Sequence, residues 1–129
     1  MGNQLMTEHK NVLGSPLETC SLEPLTGFTR EGNCKVTEED IGVHAVCVVV
    51  SEEFLEFSKR VGNDLSTPMP IFGFKGLKPG DKWCLCAPRW KEALDNDMAP
   101  PVDLKATHES ALQYATFADL LLHSIGNDT

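Results

Sequence analysis

The sequence predicts a small α+β protein: a two-layer sandwich in which helices cover one side of a short mixed sheet of three or four strands. The chain has 129 residues, 41% hydrophobic and 23% charged, which is typical of one ordinary globular domain. Short β-branched or alternating runs are followed by segments with helical spacing and helix caps. A small parallel α/β sheet is the alternative that this order of elements leaves open.

The chain is predicted to divide into a tail and one domain. Residues 1–10 show no hydrophobic periodicity and are expected to be a disordered tail, whereas residues 11–129 should form a single globular domain. Residues 11–40 are rich in Gly, Pro, Thr and Glu, and are expected to be irregular apart from a short strand at Leu25–Arg30.

The clearest strand is Val43–Val50, a β-branched run bounded by Gly42 and Ser51. Because it has valine on both faces, it should lie inside the sheet. Ser51 is a favourable N-cap for the helix that follows, and Gly62 is a favourable residue just after its end.

The connection Gly62–Gly80 is long for a compact domain, and such loops are often functional. It carries Phe72 and Phe74, whose rings could either pin the loop to the core or form an exposed apolar patch. Self-association through this patch, giving a homo-oligomer, is one expectation that follows.

The second half of the chain repeats the strand–helix order. Lys82–Ala87 alternates as a strand does, and Pro88 suits the first turn of a following helix. Val102–Ala106 is predicted to be a half-buried strand. Thr107 should cap a short helix, and Thr116 a last one.

Charge and hydropathy exclude several classes of protein. The formal charge is 11 − 19 = −8, which opposes binding to phosphate backbones, so no nucleic-acid partner is expected. The longest apolar run, Val46–Val50, is far shorter than the roughly 20 residues of a membrane span, and no signal peptide is recognisable. A cytoplasmic protein with reduced cysteines is therefore expected.

The cysteines suggest a metal site. Cys84 and Cys86 are two apart on a predicted strand and should face the same side. Cys47 could join them from a neighbouring strand, with His108 or Cys34 as the fourth ligand. Zinc is the candidate cofactor. Inert thiols without any cofactor are the simpler expectation, because free cysteine is commonly buried and because zinc ligands are usually spaced Cys-x₂₋₄-Cys.

A second use of the cysteines is nucleophilic catalysis. Cys34 lies in a turn close to Arg30 and Lys35, cations that lower the pKa of a thiol, and His108 would be its base. Cys86 is the alternative nucleophile. His44 can share a face with Cys47 only if a bulge intervenes or if the strand starts after His44.

Further polar residues flank the expected site, which should lie between the Gly62–Gly80 loop, the Cys84/Cys86 strand and the segment that begins at His108. Glu109 could orient the His108 ring, and Arg89 could bind an anionic small molecule. Asn63 and Asp64 are also candidate ligand-binding residues, although turn formation explains them as well.

Several stretches occur together in a recognisable order: Pro24–Arg30, Gly62–Pro68, Gly76–Ala87, and Ala99–Val102 followed by Ala106–Glu109. With them the chain, from Asn11 to about Ala118, resembles the bacterial family labelled domain of unknown function 2237. Thr29 stands where an aromatic residue is usual, and Asn33 where a second cysteine often accompanies Cys34, which weakens a vicinal dithiol here. The resemblance implies a small two-layer α+β protein and no particular reaction.

The function that these patterns indicate is therefore open. The first expectation is a cytoplasmic protein that binds a small molecule or a thiolate-preferring metal. The alternatives are a cysteine/histidine-dependent enzyme and a homo-oligomeric interaction module.

Overall fold

The computed structural model describes residues 9–126, so most of the predicted tail, Met1–Lys10, lies outside the described residues. Two strands and three α-helices make up the regular structure: β1 Val46–Val49, α1 Glu52–Arg60, β2 Lys82–Leu85, α2 Ala87–Asp95 and α3 Phe117–Leu122. Three 3₁₀ helices accompany them: Pro70–Phe72, Leu104–Ala106 and Glu109–Gln113. The mixed α and β content that the sequence predicts is confirmed, and within residues 9–126 no helix is long and apolar enough to cross a membrane.

The sheet is smaller than predicted. β1 and β2 form an antiparallel pair, and no third strand extends it within the described residues. The predicted strand Val102–Ala106 is wrong: Val102 makes only isolated bridges to Val48 and Ser124, and the chain then turns into the 3₁₀ helix at Leu104–Ala106. The alternation of apolar and polar residues over these five positions therefore does not produce a strand, because the chain turns locally into a 3₁₀ helix.

Helix capping follows the sequence closely at two sites. The Ser51 hydroxyl accepts the Phe54 N–H at 3.1 Å and begins α1, and the Thr116 hydroxyl accepts the Asp119 N–H at 3.1 Å and begins α3. The predicted cap at Thr107 is wrong. His108 caps the 3₁₀ helix Glu109–Gln113 instead.

The two faces of the sheet have different neighbours. Val46, Val48, Trp83 and Leu85 alternate onto one face and belong to the main hydrophobic core. Cys47 and Cys84, directly opposite each other, occupy the other face, where a second buried cluster is formed with residues of the N-terminal segment. The sheet therefore separates the apolar core from a cluster of cysteines.

The long connection before β2 is partly anchored. Leu77 is buried in the core, and the Phe74 ring packs on Trp83 with ring centroids 5.5 Å apart. Phe72, in contrast, is 76% exposed. The loop therefore presents one aromatic ring to the core and another to solvent.

Candidate functional site

Cys86 lies where β2 gives way to α2. All five cysteines fall within the described residues, and Cys86 is the one with a free thiol. It occupies the N-cap position of α2, with Pro88 in the first turn as the sequence predicts, and it is only partly buried. A partly accessible thiol therefore stands at the N-terminal end of a helix.

A tight turn brings a histidine to this thiol. Val43 adopts the left-handed conformation (φ 54°), which a β-branched residue rarely does. Its carbonyl accepts two N–H groups, from Ala45 at 2.7 Å and from Ala87 at 2.8 Å. The second bond ties the turn to the start of α2. Because β1 begins only at Val46, His44 precedes the strand and is free to lie beside Cys86.

Asp40 orients the His44 ring. Its side chain is fully buried, and its Oδ1 lies 2.7 Å from His44 Nδ1. Its Oδ2 accepts the His44 backbone N–H at 2.9 Å. Because a carboxylate only accepts, Nδ1 carries the proton in this pair, which leaves Nε2 as the ring nitrogen available to a thiol.

The Cys86 thiol and the His44 ring both lie beside Gly42. The interaction of the ring with this thiol, together with the Asp40 carboxylate, outweighs desolvation and raises the pKa of His44 to about 9. Gly42 leaves room for the pair: a Cβ at this position would lie 3.1 Å from Cys86 Sγ and 3.1 Å from His44 Cε1. Cys86, His44 and Asp40 are therefore arranged as nucleophile, base and orienting acid.

Of two residues in the preceding loop, Phe28 contacts the triad and Arg30 lines a cavity that no triad residue lines. The Phe28 ring packs on His44 with centroids 5.9 Å apart, and the Arg30 guanidinium lies 5.1 Å from the centroid of the Trp83 ring. Trp83 and Arg30 line an open cavity of about 380 Å³, to which Lys75 contributes a second cation and Glu23 an anion. A ligand in the cavity would meet aromatic surface and charges of both signs.

The other four cysteines form disulfides, Cys20–Cys47 and Cys34–Cys84. The expectation of reduced cysteines is therefore wrong for these four. Bonded to Cys84, Cys34 offers no thiolate in this structure. Of the predicted metal ligands, Cys47 and Cys84 share one buried cluster, whereas Cys86 pairs with His44.

His108 has other partners than the predicted cysteines. Its Nε2 lies 2.9 Å from Nδ1 of His9, and its Nδ1 accepts the Ser110 N–H at 3.1 Å. Burial, followed by the charge of His9, lowers the pKa of His108. Glu109 begins the 3₁₀ helix beside it, with its backbone N–H donating to Lys10 O.

The remaining candidate ligand-binding residues make structural contacts. Asp64 accepts hydrogen bonds from Ser66 and Thr67, which lower the pKa of its carboxyl group to about 2. The Asn63 carbonyl accepts the Ser58 hydroxyl at 2.5 Å. Arg89 donates to the Val61 carbonyl and pairs with Glu92, which ties α2 to the end of α1. A ligand-binding role for these residues stays a prediction.

Sequence reasoning missed Asp40 and Gly42 as site residues, and placed His44 in a strand. The sequence carries a signal for this contact in Asp40-Ile41-Gly42-Val43-His44. An acidic residue four positions before a histidine, with a glycine between them, suits a turn in which the two side chains can hydrogen-bond. Cys20 was also missed, because nothing local to it indicates a partner 27 positions away.

The comparisons with known proteins identify a family and no activity. A family model described as an uncharacterized protein conserved in bacteria, domain of unknown function 2237, matches residues 10–124. The curated proteins include no match to this chain. The chemistry of the site must therefore be inferred from its own residues.

Proposed function

The chain belongs to this family of uncharacterised bacterial proteins, whose function is unknown. From the residues of the site, we propose that the protein is a thiol-dependent enzyme in which Cys86 is the nucleophile. The observation that carries the proposal is the hydrogen bond between Asp40 and His44 together with the free Cys86 thiol beside the same ring, at the start of α2. Cytoplasmic location and small-molecule binding remain compatible with it as predictions.

The residues have distinct roles. Cys86 transfers its proton to His44 Nε2, which gives a thiolate beside an imidazolium ion. Asp40 holds the ring by its Nδ1–H and stabilises the positive charge, so it is a positioning residue. Since the pKa of His44 is raised to about 9, its ring is protonated at neutral pH.

The backbone around Cys86 favours one type of electrophile. Acyl transfer needs N–H donors for the oxyanion. Here the Ala87 N–H already donates to Val43 O and Pro88 has no N–H, so two of the backbone positions nearest the thiol supply no donor to an oxyanion. A disulfide needs no such donors, because the displaced charge leaves on sulfur. Thiol–disulfide exchange is therefore the proposed reaction.

The exchange is balanced without a cofactor. The Cys86 thiolate attacks one sulfur of a substrate disulfide; a Cys86–substrate disulfide forms, and the other half leaves as a thiolate. A second substrate thiol then attacks the mixed disulfide and regenerates Cys86.

The test uses an anionic aromatic disulfide whose released thiolate is coloured, mixed with the native protein. We expect release of one equivalent, abolished in Cys86→Ser and slowed about 10–100-fold at pH 7 in His44→Gln. Asp40→Asn should slow it too, whereas the matched control His108→Gln should react like the wild type.

Two outcomes would separate the parts of the proposal. If native Cys86 reacts no faster than Cys86 in the denatured chain at the same pH, the activated nucleophile does not exist. If Cys86 is activated but turns over an activated thioester and not the disulfide, the nucleophile stands and the assignment to thiol–disulfide exchange is wrong.

A further inference from the structure

The four disulfide-bonded cysteines form one sulfur cluster drawn from three parts of the chain. Cys20 and Cys34 come from the segment before β1, Cys47 from β1 and Cys84 from β2. The Sγ atoms of Cys20, Cys34 and Cys47 all lie within 4.8 Å of one another, and Cys84 is bonded to Cys34. None of the four residues is more than 5% exposed.

This spacing is close to that of a zinc tetrathiolate. Zinc binds four thiolates at about 2.3 Å, which puts neighbouring sulfurs about 3.8 Å apart. The sulfurs of Cys20, Cys34 and Cys47 already lie within 4.8 Å of one another, and Cys84, which is bonded to Cys34, would turn its side chain to become the fourth ligand once the disulfides are reduced. We propose that the reduced protein binds one thiolate-preferring divalent cation, of the zinc type, through Cys20, Cys34, Cys47 and Cys84.

The backbone that carries the cluster does not depend on the disulfides alone. Cys47 and Cys84 are paired across the sheet. The Thr26 hydroxyl accepts the Cys84 N–H at 2.8 Å, and the Thr107 hydroxyl accepts the Cys47 N–H at 3.1 Å. These bonds involve none of the sulfur atoms, so reduction of the disulfides does not break them directly.

The change of state balances with a named reductant. For each disulfide, a dithiol supplies two electrons and two protons and is itself oxidised to a disulfide, so the cluster takes up four electrons in all. The four thiols then release their protons as the cation binds, and zinc itself undergoes no redox change.

The proposed ligand set differs from the one that sequence spacing predicts. Cys20 takes the place of Cys86, which lies beside His44. Cys34, the predicted alternative to His108, is the fourth ligand, because the His108 ring contacts His9. Metal binding would leave the Cys86–His44–Asp40 triad intact. The inference is therefore independent of the proposed enzyme function.

The experiment titrates the reduced chain with cobalt(II) and then displaces the cobalt with zinc(II). A phosphine reductant is used because, unlike a dithiol, it does not compete for the metal. We expect one equivalent of cobalt with the charge-transfer absorption of a thiolate site in the wild type and in Cys86→Ser, the matched control. Cys20→Ser and Cys34→Ser should lose stoichiometric binding.

Far-ultraviolet circular dichroism of the same samples keeps the test decisive. If the reduced chain remains folded and takes up no stoichiometric metal, the proposal is wrong. If it unfolds on reduction, added zinc should restore the helical signal, and failure to do so also overturns the proposal. Loss of binding in Cys86→Ser equal to that in Cys34→Ser would show that the ligand set is wrong.

Discussion

Gly42 lies against the Cys86 thiol so closely that a single added carbon would stand 3.1 Å from Sγ. The same carbon would stand 3.1 Å from Cε1 of His44, so the glycine is what lets the ring and the thiol meet. Few real Cβ contacts are this tight, and either the ring or the sulfur would have to give way.

Gly42→Ala should therefore separate His44 from Cys86. We expect alkylation of Cys86 at pH 7 to slow about tenfold, because the thiol loses its base, with little change in melting temperature. The neighbouring Ile41→Ala is the control, since Ile41 is 91% exposed and its loss should change neither quantity. Alkylation of Gly42→Ala at the wild-type rate would contradict the triad geometry.

His44 should make the stability of the protein depend on pH. Its pKa is raised from 6.5 to about 9, so the folded state holds the proton more tightly than the unfolded state does. This stabilisation is fully present below pH 6.5 and is lost as the pH rises through 9. Because the side chain is 32% exposed, solvent weakens the effect. We expect the free energy of unfolding of the wild type to exceed that of His44→Gln by about 1–3 kcal/mol below pH 6.5 and by little above pH 9.5.

Urea denaturation across this pH range measures the difference. His108 is a control because its effect on stability has the opposite pH dependence. Burial and then the charge of His9 lower its pKa, so its contribution to the free energy of unfolding is present above pH 6.5 and is lost as the pH falls. A pH-independent difference between wild type and His44→Gln would show that the raised pKa is wrong.

Removing the disulfide between Cys34 and Cys84 should lower the stability of the oxidised protein. This bond closes a loop with a sequence separation of 50, and its loss in Cys34→Ala/Cys84→Ala should cost about 2–4 kcal/mol. Urea denaturation without reductant measures the loss. Cys86→Ala removes only a free thiol and should lower the free energy of unfolding much less. An equal loss in the two variants would contradict the observed disulfide pairing.

Asn11 is a buried polar anchor for the start of the domain. Its side chain donates to the Pro16 and Lys105 carbonyls and accepts from the Leu13 and Ser15 N–H groups, while the residue is only 1% exposed. Asn11→Ala leaves these partners unsatisfied, and we expect a loss of about 2–4 kcal/mol in the free energy of unfolding.

A matched asparagine tests whether burial is the cause. Asn96 is exposed and donates one side-chain hydrogen bond, to Glu92 O, so Asn96→Ala should cost about 0.5 kcal/mol. Equal losses in the two variants would show that the Asn11 contacts do not stabilise the fold.

The features that the sequence predicted correctly depend on residues that are close together in the chain. The caps at Ser51 and Thr116 and the first-turn Pro88 depend on residues within three positions of one another, and the structure shows all of them. The strand predicted at Val102–Ala106 failed because periodicity over five residues is a weak signal against a competing turn.

By itself, the sequence determined the mixed α and β content, the main caps and the family to which the chain belongs. Only the tertiary structure decided which cysteines bond and that His44, not His108, meets Cys86. The physical reason is that caps and periodicity act within a few residues. The triad and the sulfur cluster, in contrast, join segments whose approach depends on one left-handed turn at Val43 and on the register of β1 against β2.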